Sequence, residues 1–418
     1  MCNWLVCLAV IWSQNYCGEN VCRNFFLHVG RSEEMEKTIY FDNAATTYPK
    51  PNKVYENMDK CYRNFGVNAG RSSYKLAREA SNLIYDTRKK LASLVNYEHA
   101  EKVIFAPSAT IALNQIIGGI EWSENKTVYV TPFEHNAIMR PLNYIKEKFN
   151  IKIEVIAFDP VTFEVDIAAL NMKFSRNIPD FIFMSHVSNV TGFVLPIQEI
   201  IQSSKKYNSV IILDCSQSMG LIPIDVKKIR ADYYVFAGHK TLYGPFGIGG
   251  FIDNSKMKLS ETIVGGTGTD SLNLKMPDIY PGKYEAASPN ILSIAGLNSA
   301  LNWISDIGID NIREKEIKLT KALIEGLKSI DKVKMYLPKN LNNHVGIVSF
   351  NIGDFNPNEL GQMLDKAFNI AVRTGYHCAP LIHNFMNTED MGGTVRISLG
   401  YFNTVEEICY LKNCFNEL

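Results

Sequence analysis

The stretch "FAGHKTLYGPFGIGG", residues 236–250, sets a His239-Lys240 pair among small and apolar residues. A solvated surface lysine needs no such surroundings, whereas a lysine held in a site can act as an amine nucleophile or base once burial lowers its pKa. Other polar groups of chemical use recur along the chain in a regular way. Ser108, Ala109 and Thr110 follow "KVIFA", and Glu134-His135 follows "TVYVT". Asn189 comes after "DFIFMSH", Asp214 to Gln217 close "SVIILDC" and run on from it, and His239-Lys240 follows "DYYVFAG". Singly, each has a plain structural use: His135 at a helix start, Asp214 as a loop cap, Asn189 as a turn former in "SNVTG". At the ends of successive β-branched runs, they describe one crevice instead.

The elements that must position them alternate. The runs above, with "KIEVIAF", read as strands, and "ATIALNQIIGGI", "AIMRPLNYIKEKF" and "PIQEIIQSSKKY" between them place apolar residues at helical spacing. That order predicts an α/β layered sheet, whose ligands bind beyond the carboxyl ends of the strands. The free N–H groups of a helix opening at "SAT", residues 108–110, suit an anion such as phosphate. An aspartate at a strand end pairs with a protonated ring nitrogen, a lysine joins an aldehyde, and an imidazole lies over a flat ring. That inventory fits pyridoxal 5′-phosphate.

Composition agrees with a small-molecule enzyme. The 418 residues are 46% hydrophobic, enough for a large core and, by length, two domains. Lysine plus arginine equals aspartate plus glutamate at 43 each, so no basic footprint for nucleic acid exists. Nine cysteines, at 2, 7, 17, 22, 61, 215, 378, 409 and 414, are too sparse for a disulfide scaffold and imply reduced thiols in the cytoplasm. Cys2, Cys7, Cys17 and Cys22 lack companion ligands at metal-site spacing, so no metal is expected. Residues 1–34 differ from the rest: "WLVCLAVIW" is too short to span a membrane, and no basic residue precedes Trp4 as a signal peptide would require. They read as an extension to a working chain that begins near Met35.

Ten ordered motifs carry a resemblance: "YFDNAATTYPKP", "GVNAGRSSYKL", "EHNAIMRPL", "HVSNVTG", "LDCSQ", "GHKTLYGPFGIGG", "GGTGTDS", "YEAASPN", "RTGYHCAP" and "VRISLGYFNT". From about Ile39 onward the sequence resembles the cysteine desulfurases, class V, fold-type I pyridoxal-phosphate enzymes, of the short-catalytic-loop group. The resemblance implies a large domain over 50–290 with a mostly parallel seven-stranded sheet. A smaller α/β domain would combine 35–49 with 291–418, and the cofactor would sit at their junction. It implies Lys240 as the Schiff-base lysine, Asp214 as partner of the pyridine nitrogen, and His135 as the stacking imidazole. Asn189 and Gln217 would contact ring substituents, and Ala109, Thr110 and His239 the phosphate. Thr267 would reach the phosphate from a second subunit, making the active unit a homodimer. Three positions depart from the family pattern: Ala237 stands where many relatives have Ser or Thr, Ile111 where Glu is usual, and Ser288 where Thr is common.

By the same resemblance Arg396 clamps the substrate carboxylate, with Asn189 beside it, and Cys378 takes the sulfur of L-cysteine as a persulfide, leaving alanine. A free cysteine is otherwise a small buried hydrophobe, but Arg373 and His377 nearby give Cys378 a setting that lowers a thiol pKa. Arg373 itself is expected to be structural. A dedicated sulfur-acceptor protein is expected to take the persulfide on. The rivals are a selenocysteine lyase or class V aminotransferase on the same scaffold, and a cofactor-binding sulfur-relay or regulatory platform.

Overall fold

The computed structural model describes residues 38–69, 74–268 and 272–417. The extension expected over 1–34, with its four cysteines, lies outside the described residues. From Ile39 on, the chain makes one compact unit.

A short strand β1 (Ile39–Tyr40) comes first. The six β-branched runs then form β2 (Val103–Ala106), β3 (Thr127–Val130), β4 (Lys152–Val155), β5 (Phe181–Ser185), β6 (Val210–Asp214) and β7 (Tyr233–Ala237). A seventh strand, β8 (Gly249–Asp253), joins them in the order β2-β8-β7-β6-β5-β3-β4. All neighbours are parallel except β8, which is antiparallel to both β2 and β7. The expected mostly parallel seven-stranded sheet is therefore present. Because β2 and β7 both oppose β8, the carboxyl ends of β2, β3, β5, β6 and β7 share one edge.

Helices cover both faces of the sheet, and this explains why its inner strands read as unbroken apolar runs. Alternate residues go to opposite sides. Phe105, Tyr129, Ile182, Leu213 and Phe236 pack in one core with Val54, Leu91 and Leu297, which lie on the helices Asn52–Phe65, Lys75–Leu94 and Ile291–Ile307. Ile104, Val128, Phe183, Ile212 and Val235 pack in the other with Leu113, Ile116, Ile138 and Leu142, from the helices Ala109–Gly119 and Asn136–Phe149. Each such aliphatic or aromatic side chain contributes about 1.5–3 kcal/mol when fully buried.

The remaining strands are β9 (Val333–Tyr336), β10 (Ile347–Ile352), β11 (Ile370–Ala371), β12 (Arg373–Gly375) and β13 (Thr394–Ser398). Four of them form an antiparallel sheet in the order β12-β13-β10-β9, while β11 pairs with β1 in parallel. A third core, with Phe350, Val395 and Ile397, packs this sheet against Leu319 and Leu323 of the helix Ile309–Lys328, Leu360 of Pro357–Phe368 and Leu411 of Val405–Glu417. Arg373 and Arg396 stand directly opposite each other on β12 and β13. Among the described residues no helix is long and apolar enough to cross a membrane.

Candidate active site

The strand edge holds a polar cavity. Its walls include Ser108, Ala109 and Thr110 after β2, His135 after β3, Ser185 and Asn189 from β5 and beyond, Asp214, Ser216 and Gln217 from β6 and beyond, and Ala237, His239 and Lys240 after β7. Nine of the sequence-derived candidates thus meet in one place, drawn from five strand ends.

Local rules explain each placement. Ser108 caps the helix Ala109–Gly119, its Oγ accepting from Ile111 N at 3.2 Å, and the first-turn N–H groups face the cavity end as an anion cradle. The cradle lies tight against β8: a Cβ on Gly249 would stand 2.7 Å from Ala109 N. His135 caps the next helix, with Nδ1 accepting from Ala137 N at 3.0 Å, which fixes Nε2 as the protonated nitrogen of a neutral ring. Burial, with the Lys240 charge beside it, pushes the His135 pKa down to about 4 against the pull of Asp214. Asp214 ends β6 in register with Ser185, and its Oδ1 accepts from Ser216 N at 2.9 Å.

Lys240 has no hydrogen bond or ion pair from its ammonium to another described residue. Burial holds its pKa below the usual lysine range; Asp214 opposes that, and Arg396 and Arg373 add to it. Beside it His239 stacks on Phe246 at 4.6 Å, and its Nδ1 is buried without a partner, as is the Ser216 hydroxyl. Orphaned donors and acceptors around a polar cavity, a lysine with a suppressed charge and a helix N-terminus fit pyridoxal phosphate. Glu134 lies behind the wall, fully buried, accepting from Thr131 Oγ1 and from both the N–H and Oγ of Ser185. Burial raises its pKa to about 7.

Three candidates, Arg396, Thr267 and Cys378, stand outside this wall. Arg396 is 2% exposed and donates through Nη1 to Asn189 O at 2.8 Å and through Nη2 to Asp42 Oδ1 at 2.6 Å; its Nε is buried without a partner. Arg373 also pairs with Asp42, at 3.6 Å, which supports its reading as a structural residue. Asp42 was invisible as a site residue in the sequence, because it lies 354 positions from Arg396. Thr267 sits on the 254–290 loop and does not line its own chain's cavity.

Cys378 is exposed and lines a second, more apolar hollow with Thr110, His135 and Tyr144. Its turn is held by two bonds from neighbouring elements and one of its own. Asn136 N donates to Cys378 O at 2.7 Å, Asn189 Nδ2 to His377 O at 2.8 Å, and Ala379 N to Tyr376 O at 3.0 Å. Both His377 and Cys378 take left-handed backbone angles, φ 48° and 56°. The electrostatic setting expected for the thiol is corrected here. The His377 ring turns inward, with Nε2 against Thr394, and burial keeps it uncharged, while Arg373 is occupied by Asp42.

A sheet of this topology with a lysine beyond β7 and an acid at the end of β6 is the architecture of fold-type I pyridoxal-phosphate enzymes. The family profile described as "Aminotransferase class-V" matches residues 39–411. A probable cysteine desulfurase of Pyrococcus abyssi is 32% identical over 390 residues, covering 92% of this chain and 94% of that one. A probable cysteine desulfurase of Methanothermobacter thermautotrophicus is 30% identical over 91% of this chain and 94% of its own. The apo structure of the cysteine desulfurase from Thermococcus onnurineus superposes with a TM-score of 0.85 at 30% identity, covering 91% of this chain and 94% of that one. The chain belongs to the class-V aminotransferase family, among its cysteine desulfurases, and is an enzyme of that group.

Proposed function

We propose that the protein, with pyridoxal 5′-phosphate, converts L-cysteine to L-alanine and moves the sulfur to Cys378 and then to an acceptor thiol. The observation that carries this is the meeting of Lys240, Asp214 and His135 at three strand ends, with the exposed thiol of Cys378 tied through its carbonyl to the helix that His135 caps. Pyridoxal phosphate, when bound, supplies an electron sink for the bonds at the substrate's α-carbon.

The chain's own residues do the rest. Ala109, Thr110 and His239 would hold the phosphate, the helix N–H groups making up for the hydroxyl that Ala237 lacks. Asp214 would keep the ring nitrogen protonated, and His135, neutral, would cover the ring without adding a second positive charge. Asn189 and Gln217 would contact the ring's substituents. Arg396 receives the substrate carboxylate, its unpaired Nε providing an open donor beside Nη2. Lys240, whose charged form burial disfavours, removes the α-proton and carries it. The Cys378 thiolate attacks the substrate sulfur: the new S–S bond forms as the Cβ–S bond breaks, the bonding pair stays on Cβ and takes up the proton that Cys378 gave up on ionising, and Lys240 returns the α-proton to complete alanine.

The assembly is a homodimer in this reading. Val264, Leu272 and Leu274 stand 72% exposed or more on the loop that carries Thr267, and a second copy covers them as Thr267 reaches its phosphate. The described cysteines are all unpaired, which suits a reducing cytoplasm. The test is Cys378→Ser assayed with L-cysteine for alanine and for protein-bound persulfide. Cofactor should stay bound while both products fall by more than about a hundredfold, because the hydroxyl is hardly ionised at neutral pH. Turnover at the parent rate would remove Cys378 from the reaction. Release of alanine only in the presence of a keto acid would make the protein an aminotransferase.

A further inference from the structure

The segment Asp42–Lys50 contributes nothing to the wall of the Lys240 cavity, yet it is bonded to three residues that do and to Arg396. At one end Asp42 holds Arg396 at 2.6 Å. In the middle Gln217 Nε2 donates to Ala44 O at 2.8 Å. At the other end, donors converge on the carbonyl oxygen of His239, the peptide that leads into Lys240. Thr46 Oγ1 stands 2.9 Å from it, Thr47 N 3.1 Å, Thr47 Oγ1 3.3 Å and Lys50 Nζ 3.3 Å. The Thr47 hydroxyl also faces Lys240 O at 3.1 Å.

A carbonyl oxygen has two lone pairs, so four donors around one oxygen exceed what a loop needs for satisfaction. Lys50 is the costliest of them. It is largely buried, burial pushes its pKa down to about 8, and no carboxylate lies within ion-pair distance of it among the described residues. Its ammonium spends its hydrogen bonds on Thr47 O, Thr47 Oγ1 and His239 O. A buried ammonium is unfavourable unless such bonds compensate it, and an apolar residue would fill the same space at less cost. What an apolar residue would not do is restrain the backbone at position 239.

We propose that Lys50 is a positioning residue for Lys240: with Thr46 and Thr47 it anchors the carbonyl of His239 and so sets where the Lys240 amine stands against Asp214 and the substrate. The inference rests on Lys240 being the proton-moving amine. Proton transfer needs the amine within hydrogen-bond reach of its target, and a displacement of about 1 Å costs up to about a hundredfold in rate. Substrate affinity, set on the far side by Arg396, has no such dependence on the His239 peptide. The signature is therefore a loss in kcat with KM preserved.

The experiment uses full-length protein saturated with pyridoxal phosphate, comparing parent, Lys50→Met and Thr46→Val. Lys50→Met keeps most of the apolar stem and removes the donors. It should bind cofactor to the parent's stoichiometry, alter the visible circular dichroism of the bound cofactor, and lower kcat about tenfold with KM for cysteine within about twofold. Thr46→Val removes one hydroxyl from the same oxygen and should lower kcat about threefold in the same pattern, which keeps the test alive if Lys50→Met does not fold. If the parent turns over cysteine and both soluble variants match its kcat and dichroism, the inference falls and the proposed function stands. A loss confined to KM would likewise overturn it. A cofactor-loaded parent inactive on cysteine would overturn the function and the inference with it.

Discussion

The tight contact between β8 and the anion cradle predicts an effect that no alignment of motifs would suggest. Gly249→Ala would place a methyl 2.7 Å from Ala109 N, 2.8 Å from Ser108 C and 2.9 Å from Phe236 O, all short of the 3.4 Å at which ordinary contact begins. All three are backbone atoms of fixed elements, so none can rotate away. Either β8 separates from β7, or the first turn of the helix Ala109–Gly119 moves by several tenths of an ångström. Overpacking of this kind costs about 1–3 kcal/mol, and the melting temperature should fall by several degrees. The helix terminus supplies up to about 2 kcal/mol to a partly buried anion, so misdirecting its N–H groups should weaken cofactor binding roughly tenfold to thirtyfold. Titration of apoprotein with pyridoxal phosphate, followed by absorbance and paired with thermal unfolding, measures both. Gly326→Ala is the control, since nothing lies within 4 Å of its added methyl. It sits in the helix Ile309–Lys328 and should gain about 0.5–1 kcal/mol with cofactor affinity unchanged. If Gly249→Ala bound cofactor within about twofold of the parent, the cradle would not be the phosphate site.

Arg396→Lys should raise KM for cysteine about tenfold and lower kcat less, since the charge survives while the planar fork between Asn189 O, Asp42 and the free Nε is lost; unchanged KM in steady-state kinetics would refute the clamp. Glu316, buried and accepting from Tyr243 OH, has its pKa raised by burial to about 8. Between about pH 4.5 and 8 the native state thus keeps a proton that the unfolded chain releases, and this group's contribution to stability declines as pH rises. Glu316→Gln should unfold near the parent's temperature at pH 5 and above it, by a few degrees, at pH 9; the opposite ordering at pH 9 would show that the carboxylate is favourably held.

The sequence made the six parallel strands legible because all but the edge strand β4 are buried on both faces and read as compact apolar runs between helical patterns. The seventh was hidden: "GGFID" begins with two glycines that looked like part of the lysine loop, where close approach to Ala109 in fact requires the first of them. The cavity wall was legible for the same reason as the strands, since polar residues at their carboxyl ends must share an edge. Side-chain direction was not. His377 precedes Cys378 and promised a charged neighbour, but the left-handed turn at these two residues sends the imidazole inward to Thr394 and leaves the thiol outside. Asp42 escaped notice because only the pairing of Arg373 with Arg396 on β12 and β13, and the bridge from Asp42 to Ser398, bring it to both arginines.

The turn that carries Cys378 is fastened at two of its carbonyls, those of His377 and Cys378, to Asn189 and Asn136 beside the Lys240 cavity. On the proposed function, a sulfur atom accepted there would gain little swing: its reach would be one S–S bond, about 2 Å, beyond the Sγ of a residue whose backbone is held. Transfer onward then becomes a matter of who travels. A recipient would then have to bring its own thiol to this address, and one lacking a protruding, adaptable loop would go unserved however abundant it was.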